Sequence, residues 1–113
     1  MRKRILSISY DVPLLHTREM LLESEGFKVI SAVGFDQAVV EVERGRYDLA
    51  IIGHSIPLTE KKTLAKKIKG CVPSVRILSL RRHGDKPLPE ADYSIEAAEG
   101  PSALVATVIE LLQ

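Results

Sequence analysis

Three residues whose types and position could support chemistry follow directly after the short apolar run 49–52. They are Gly53, His54 and Ser55. An apolar run of this length, bounded by turn-forming residues, is typical of a strand buried on both faces. In open α/β sheets, ligands bind just beyond the carboxyl ends of such strands. These residues include no carboxylate. The position of these residues therefore predicts a functional site at the carboxyl edge of the sheet, and that site would lack an acidic group after this strand.

Serines at Ser9, Ser55 and Ser79 end or follow predicted strands and could form a hydroxyl-lined pocket. A hydrolase would need a base and an oxyanion donor beside one of them, and no G-x-S-x-G turn accompanies any of the three. Esterase activity lost on Ser55→Ala would support that alternative. The same edge includes His54, for which phosphohistidine chemistry is a further alternative to an ordinary strand-end histidine.

The histidines and the single cysteine are not spaced as in known metal sites or reactive-thiol sites. His16, His54, His83 and Asp11 are the candidate metal ligands, but no two of them have a local ligand spacing such as i, i+4 on one helix. Cys71 lies in a predicted loop with no identifiable base, so an inert thiol is expected. The sequence therefore predicts no metal site.

Composition limits the class of protein. The 113 residues, 45% of them hydrophobic, suit one domain spanning residues 1–113 with a real core. Sixteen basic and fifteen acidic residues give a net charge of +1, which does not favour nucleic acid or membrane as a partner. One cysteine excludes an internal disulfide framework, and no apolar stretch approaches the roughly 18 residues that span a bilayer. We expect a soluble, cytoplasmic domain.

The elements that position these residues alternate between strand and helix. Segment 81–89 contains one glycine and two prolines, which argues against a long helix there. Alternation of this kind predicts a flavodoxin-like α/β fold, with a five-stranded parallel sheet of order 2-1-3-4-5 and helices on both faces. The predicted strands are 5–9, 27–31, 47–53, 75–80 and 91–95. Four helices are predicted: the first begins at the cap Asp11 and ends at Gly26, the second spans 35–44, the third begins at the cap Thr59 and ends at Lys69, and the last spans 101–112.

Four stretches resemble response-regulator receiver domains of the CheY-like family in their order and spacing. They are Arg4–Asp11, Leu21–Val29, Tyr47–Ile52 with the later Pro57, and Ala91–Tyr93. The resemblance covers about residues 2 to 112. It implies a role in two-component phosphorelay signalling, with a histidine kinase or a response regulator as partner. Receivers commonly use the surface of their fourth helix, fifth strand and fifth helix for dimerisation and output. In this chain the fourth helix is expected to be shortened or missing.

The resemblance also implies which residues would carry the family's chemistry. Receivers phosphorylate an aspartate after the third strand, bind Mg²⁺ with an acidic pair after the first strand, and contact the phosphoryl group with a hydroxyl and a lysine. The phosphoacceptor position falls on Gly53, which has no oxygen to accept a phosphoryl group. The other positions fall on Ser9 and Tyr10 (followed by Asp11), on Ser79 and on Glu96. The resemblance therefore implies a pseudo-receiver that binds no Mg²⁺, with the Tyr10 ring filling the emptied pocket.

A cluster of basic residues is a separate candidate site. It comprises Lys61, Lys62, Lys66 and Lys67 of the predicted third helix, with Arg81 and Arg82 after the fourth strand. On the predicted fold these segments emerge on one surface, which could attract an acidic partner. The plainer interpretation is a solvated helix face. No aromatic residue is interleaved with the charges, which disfavours stacking on single-stranded nucleic acid.

The sequence thus predicts a stand-alone, non-enzymatic receiver-like domain that acts by protein–protein contact without being phosphorylated. Two alternatives remain open. One is a receiver switched by a ligand or by pH at His54, and the other is a basic module for an acidic partner or nucleic acid. The oligomeric state is not predicted.

Overall fold

A computed structural model describes residues 2–113, and its five parallel strands form one sheet in the order β2-β1-β3-β4-β5. The predicted flavodoxin-like architecture is confirmed. The strands are β1 (Arg4–Ser9), β2 (Lys28–Val33), β3 (Leu49–Ile52), β4 (Arg76–Arg81) and β5 (Tyr93–Glu96), and the helices are α1 (Val12–Ser24), α2 (Gly34–Arg44), α3 (Leu58–Cys71) and α4 (Pro101–Leu111), with a 3-10 turn at Ala97–Glu99.

Alternate residues of the strands build two hydrophobic layers, one on each face of the sheet. On one face, residues such as Leu6 and Ile52 pack against α2 and α3. On the other face, Ile5, Ile51 and Leu78 pack against α1 and α4. Because successive side chains of a strand point to opposite faces, a continuously apolar strand such as β3 supplies both layers.

Helix α3 begins and ends differently from the sequence prediction. Its N-cap is Pro57, in extended conformation with φ −61° and ψ 151°, and not Thr59. Proline fixes φ near this value, which is compatible with an extended N-cap, but it has no side-chain oxygen to accept the first N–H groups of the helix. The helix also continues through Gly70 to Cys71. A glycine alone therefore does not end it.

The connection between β4 and β5, residues 82–92, contains no helix, as predicted from its glycine and prolines. Leu88 is buried and anchors this connection to the core. At its end, one oxygen of Asp92 accepts hydrogen bonds from the Ile77 N–H at 2.7 Å and from Lys69 Nζ at 3.0 Å. Burial opposes ionisation of Asp92, but these two donors outweigh it and lower the carboxyl pKa.

Across residues 2–113, none of the helices combines the length and the apolar character that crossing a membrane requires.

Candidate functional site

The ends of β1 and β3 are joined by a small hydroxyl network at the carboxyl edge of the sheet. Ser9 Oγ lies 2.9 Å from Ser55 Oγ, and each hydroxyl also accepts a backbone N–H, from Asp11 at 3.0 Å and from Tyr10 at 2.9 Å respectively. The Asp11 carboxylate caps α1 by accepting the Leu14 N–H at 3.1 Å. These side chains therefore hold the strand ends together, and neither serine has a base among its hydrogen-bond partners.

Gly53, at the position that the family resemblance assigns to the phosphoacceptor, is tightly enclosed. Its N–H donates to the Ile8 carbonyl at 2.8 Å. A Cβ added to it would lie 2.8 Å from that carbonyl oxygen, 3.2 Å from Ser9 Cβ and 3.3 Å from Arg18 Nη1. Because a backbone oxygen cannot move aside cheaply, any side chain at this position requires the surroundings to shift.

A buried cation, Arg18 of α1, occupies the space beside Gly53. Arg18 is only 7% exposed. Its Nη1 is shielded from solvent and has no hydrogen-bond partner among residues 2–113. Burial lowers the pKa of this guanidinium, and the nearby Asp11 partly opposes the shift. The site thus contains positive charge where the family resemblance expects carboxylates.

A second buried cation, Lys61 of α3, reaches Ser79. Lys61 Nζ donates to Ser79 Oγ at 2.9 Å and to the Leu80 carbonyl at 2.6 Å. Burial lowers the pKa of Lys61 to about 8, with Asp85 opposing the shift and Arg81 adding to it. An ammonium group therefore does meet Ser79, but it comes from α3 and not from the end of β5.

The structure corrects the predicted basic cluster, because Lys61 is 6% exposed and lies inside the protein. The other lysines of the cluster, Lys62, Lys66 and Lys67, are exposed, as is Arg82, whereas Arg81 is half-buried. The exposed basic surface of α3 therefore does not include the charge of Lys61.

Tyr10 does not fill the pocket beside Gly53, so that expectation is wrong. The side chain is 46% exposed and its ring lies against Gly34, where an added Cβ would be 2.5 Å from Cε1. Its hydroxyl donates to Glu60 Oε1 at 2.8 Å and accepts the Phe35 N–H at 3.3 Å. The hydrogen bond to Glu60 is the main reason that the Tyr10 pKa is raised. Tyr10 therefore links the starts of α2 and α3.

Gly34→Ala is expected to lower the free energy of unfolding by roughly 1 to 2 kcal/mol, because Gly34 has a φ of +80° that L-residues rarely adopt. The added methyl would also collide with the Tyr10 ring. Chemical denaturation checks this value. In a Tyr10→Ala background only the backbone part of the cost should remain, so an unchanged or larger cost there would contradict the proposed ring contact.

Glu96 and His83 form a separate pair at the other end of the carboxyl edge. Glu96 Oε1 lies 3.2 Å from His83 Nδ1, and the Glu96 N–H donates to Glu99 Oε2 at 3.0 Å in a capping box that begins the 3-10 turn. His16 is exposed on α1 and has no hydrogen bond or salt bridge to either residue. Within residues 2–113, no group of three or more histidine, cysteine or acidic side chains could hold a metal ion.

Sequence reasoning missed Arg18 as a site residue and placed Lys61 in an exposed basic cluster, although helical spacing could have indicated that both side chains are buried. The buried residues of α1 are Leu15, Arg18 and Leu22, which recur at i, i+3 and i+7. Those of α3 begin at Lys61 and continue with Leu64, Ala65 and Ile68 on the same face. A cation within an apolar stripe points inward, and that pattern was the available signal.

Comparison with solved structures identifies the fold. A CheY-like response regulator receiver domain protein from Methanospirillum hungatei is 24% identical, with a TM-score of 0.84 over 97% of this chain and 93% of that one. A two-component response regulator from Clostridium difficile is 20% identical, with a TM-score of 0.85 over 98% and 96%. The response regulator TrrA from Thermotoga maritima, solved with Mg²⁺ and BeF, is 22% identical, with a TM-score of 0.82 over 96% and 98%. No protein-family model and no curated protein matches the sequence.

Proposed function

We propose that this chain, which has the fold of response-regulator receiver domains, acts in two-component signalling by protein–protein contact and without aspartyl phosphorylation. The observation that carries the proposal is Gly53 with the buried Arg18 beside it. Glycine offers no oxygen to a phosphoryl group, and the enclosed space would not accept an acidic side chain without movement. The proposed role is therefore that of an adaptor, decoy or scaffold and not of an enzyme.

The residues at this edge do not fit Mg²⁺, which prefers hard oxygen ligands and usually a carboxylate. Ser9 and Ser55 bond to each other and to backbone N–H groups, and the Asp11 carboxylate caps α1. The unpaired Nη1 of Arg18 would repel a divalent cation. These contacts support the part of the proposal that excludes a Mg²⁺-dependent step.

The proposed partner is another signalling protein, a histidine kinase or a response regulator. Two of the similar structures are named as response regulators and a third as a receiver domain protein, and this chain shares their fold along nearly its whole length. The surface next to β5 has its own shape, because a loop replaces a helix between β4 and β5. We therefore expect the contacts of this chain to differ from those of an ordinary receiver at that surface.

Incubation with acetyl phosphate and Mg²⁺ tests the proposal directly. We expect intact-mass spectrometry to find no phosphoryl adduct, and amide NMR spectra to show no saturable Mg²⁺ shift at the carboxyl edge. A phosphorylatable receiver treated in parallel is the positive control. A stable adduct on this chain would overturn the proposal.

Gly53→Asp is the matched variant for the same experiment. We expect it to remain unphosphorylated, because it restores the acceptor oxygen but neither the Mg²⁺ ligands at Ser9 and Tyr10 nor the lysine at Glu96. Phosphorylation of this variant would show that the glycine alone blocks the reaction and would contradict our account of the Mg²⁺ site.

A further inference from the structure

A cleft of about 100 Å³ lies between α1 and the start of α4, on the face of the sheet opposite α2 and α3. Most of the residues in its walls are apolar. They include Leu14 and Leu21 of α1, Leu80 of β4, Ile95 of β5 and Leu104 of α4. Leu14 and Leu21 are only half-buried, so part of the apolar surface around the cleft is still in contact with water. A ligand with a hydrocarbon chain would remove that surface from water, which is favourable.

The wall of the cleft also includes a buried cation without a partner. Arg18 lines the cleft, yet it is only 7% exposed. Its guanidinium forms no hydrogen bond or salt bridge within residues 2–113. Nη1, the nitrogen beside Gly53, is shielded from solvent, but Nε and Nη2 are not shielded in this way and can be approached from the cleft. Because buried charges in native proteins are nearly always paired, Arg18 indicates a missing anion.

Two carboxylates lie near Arg18, but both have other partners. Glu96 lines the cleft, and its Oε1 lies 3.2 Å from His83 Nδ1. Asp11 acts on the pKa of Arg18 through its charge, but its carboxylate accepts the Leu14 N–H at 3.1 Å and caps α1. Neither carboxylate forms a salt bridge with Arg18. The residues that the structure describes therefore do not supply the anion that this guanidinium lacks.

We propose that the cleft binds a short aliphatic carboxylic acid, with its carboxylate on the Arg18 guanidinium and its hydrocarbon chain between α1 and α4. Nε and Nη2 of a guanidinium can donate side by side to the two oxygens of a carboxylate. A phosphate dianion would bring a second charge into an apolar cleft beside Glu96, where nothing would compensate for its lost hydration. An apolar cavity of roughly 150 Å³ holds benzene, so this smaller cleft suits an acid of about four or five carbons.

A ligand at this position gives the unpaired charge of Arg18 a function. Proteins commonly keep binding groups that lower the stability of the free state, because the ligand needs them. Binding in the cleft goes beyond the signalling role proposed above. It does not depend on the absence of aspartyl phosphorylation, because no phosphoryl group takes part.

Isothermal titration calorimetry at neutral pH and constant ionic strength provides the test. The probe is isovalerate, and the comparisons are acetate, isoamyl alcohol and inorganic phosphate. We expect saturable binding of isovalerate, and binding of each comparison that is weaker by about tenfold or more. Equal binding of isoamyl alcohol would overturn the ion pair with Arg18, and equal binding of acetate would overturn the role of the apolar walls. Equal or tighter binding of phosphate would overturn the choice of a carboxylate, and the lack of any saturable isovalerate signal would overturn the site itself.

Two variants with matched controls show where isovalerate binds. Arg18→Met removes the cation, and Ala97→Leu places a larger side chain in the cleft without changing the guanidinium. Each should weaken binding by about tenfold or more, as expected when a charge-assisted contact or the space for the ligand is lost. Arg46→Met and Ala98→Leu make the same changes at exposed positions outside the cleft and should bind as the parent does. Parental affinity in either of the first two variants would overturn the proposed site.

NMR spectra of the methyl groups locate the ligand in the parent protein, independently of how the variants fold. We expect isovalerate to shift the Leu21 and Leu104 methyl signals saturably, with the same affinity as calorimetry measures. Saturable shifts confined to methyl groups outside the cleft would place the ligand elsewhere and would overturn the assignment.

Discussion

Replacing Arg18 by methionine is expected to raise the free energy of unfolding by roughly 1 to 3 kcal/mol, the usual cost of a buried polar group left unpaired. Arg18 is 7% exposed, and its Nη1 has no hydrogen-bond partner within residues 2–113. Burial lowers the guanidinium pKa, which means that the folded state disfavours the charged form. Methionine keeps most of the apolar stem between Leu15 and Leu22 and removes the charge.

Urea denaturation of parent and variant measures this difference. Arg46→Met is the matched control, because Arg46 is exposed and the same change there should leave stability within about 0.5 kcal/mol. A destabilised Arg18→Met protein would show that the guanidinium makes favourable contacts in solution, for example with ordered water. The interpretation of Arg18 as an unpaired charge beside Gly53 would then be wrong.

The fold was predictable because its signals are local and agree with one another. Apolar runs such as 49–52 read as strands regardless of what surrounds them, and the glycine and prolines of 81–89 exclude a helix by backbone geometry alone. Element ends were less predictable, since they depend on tertiary contacts. Helix α3 runs through Gly70 because Ile68 and the turns before it are held by the core.

The site was predictable only in its outline. The positions of Gly53, Ser9 and Ser79 follow from their strands, so sequence places them at one edge of the sheet. Which side chain fills the space left by an absent aspartate depends on rotamers and packing. Tyr10 directly follows β1 and was the candidate for filling that space, but its ring lies on Gly34, while Arg18 reaches Gly53 from the second turn of α1.

The number of lysines on a helix does not show how many of them are exposed at the protein surface. Lys61 and Lys62 are adjacent in sequence, yet the first is buried against Ser79 and the second is exposed. Neighbouring residues on a helix point about 100° apart, so only the residue in register with Leu64 and Ile68 faces inward. The apolar stripe, and not the number of lysines, determines which charge belongs to the site.

That buried lysine gives the stability of the protein an unusual dependence on pH. Lys61 has a folded pKa of about 8, against 10.5 as its ordinary value. Below pH 8 both states hold the proton, and the folded protein carries the full cost of burying an ammonium group. Between pH 8 and 10.5 the folded state loses the proton first, so the unfolded state binds more protons and stability rises with pH. At 1.36 kcal/mol per pKa unit the complete gain is roughly 3 kcal/mol.

Measurement of the free energy of unfolding from pH 7 to 10, in buffers without phosphate, tests this expectation. Above pH 10 the effect is opposed by Tyr47, whose pKa burial raises to about 12, because its phenol then ionises more readily in the unfolded state. We expect the parent to gain roughly 2 to 3 kcal/mol over this range and Lys61→Met to gain little. Lys62→Met, an exposed lysine changed in the same way, should keep the parent's dependence. If Lys61→Met retained the full rise, the ammonium group that contacts Ser79 could not be its source, and the pKa assigned to Lys61 would be wrong.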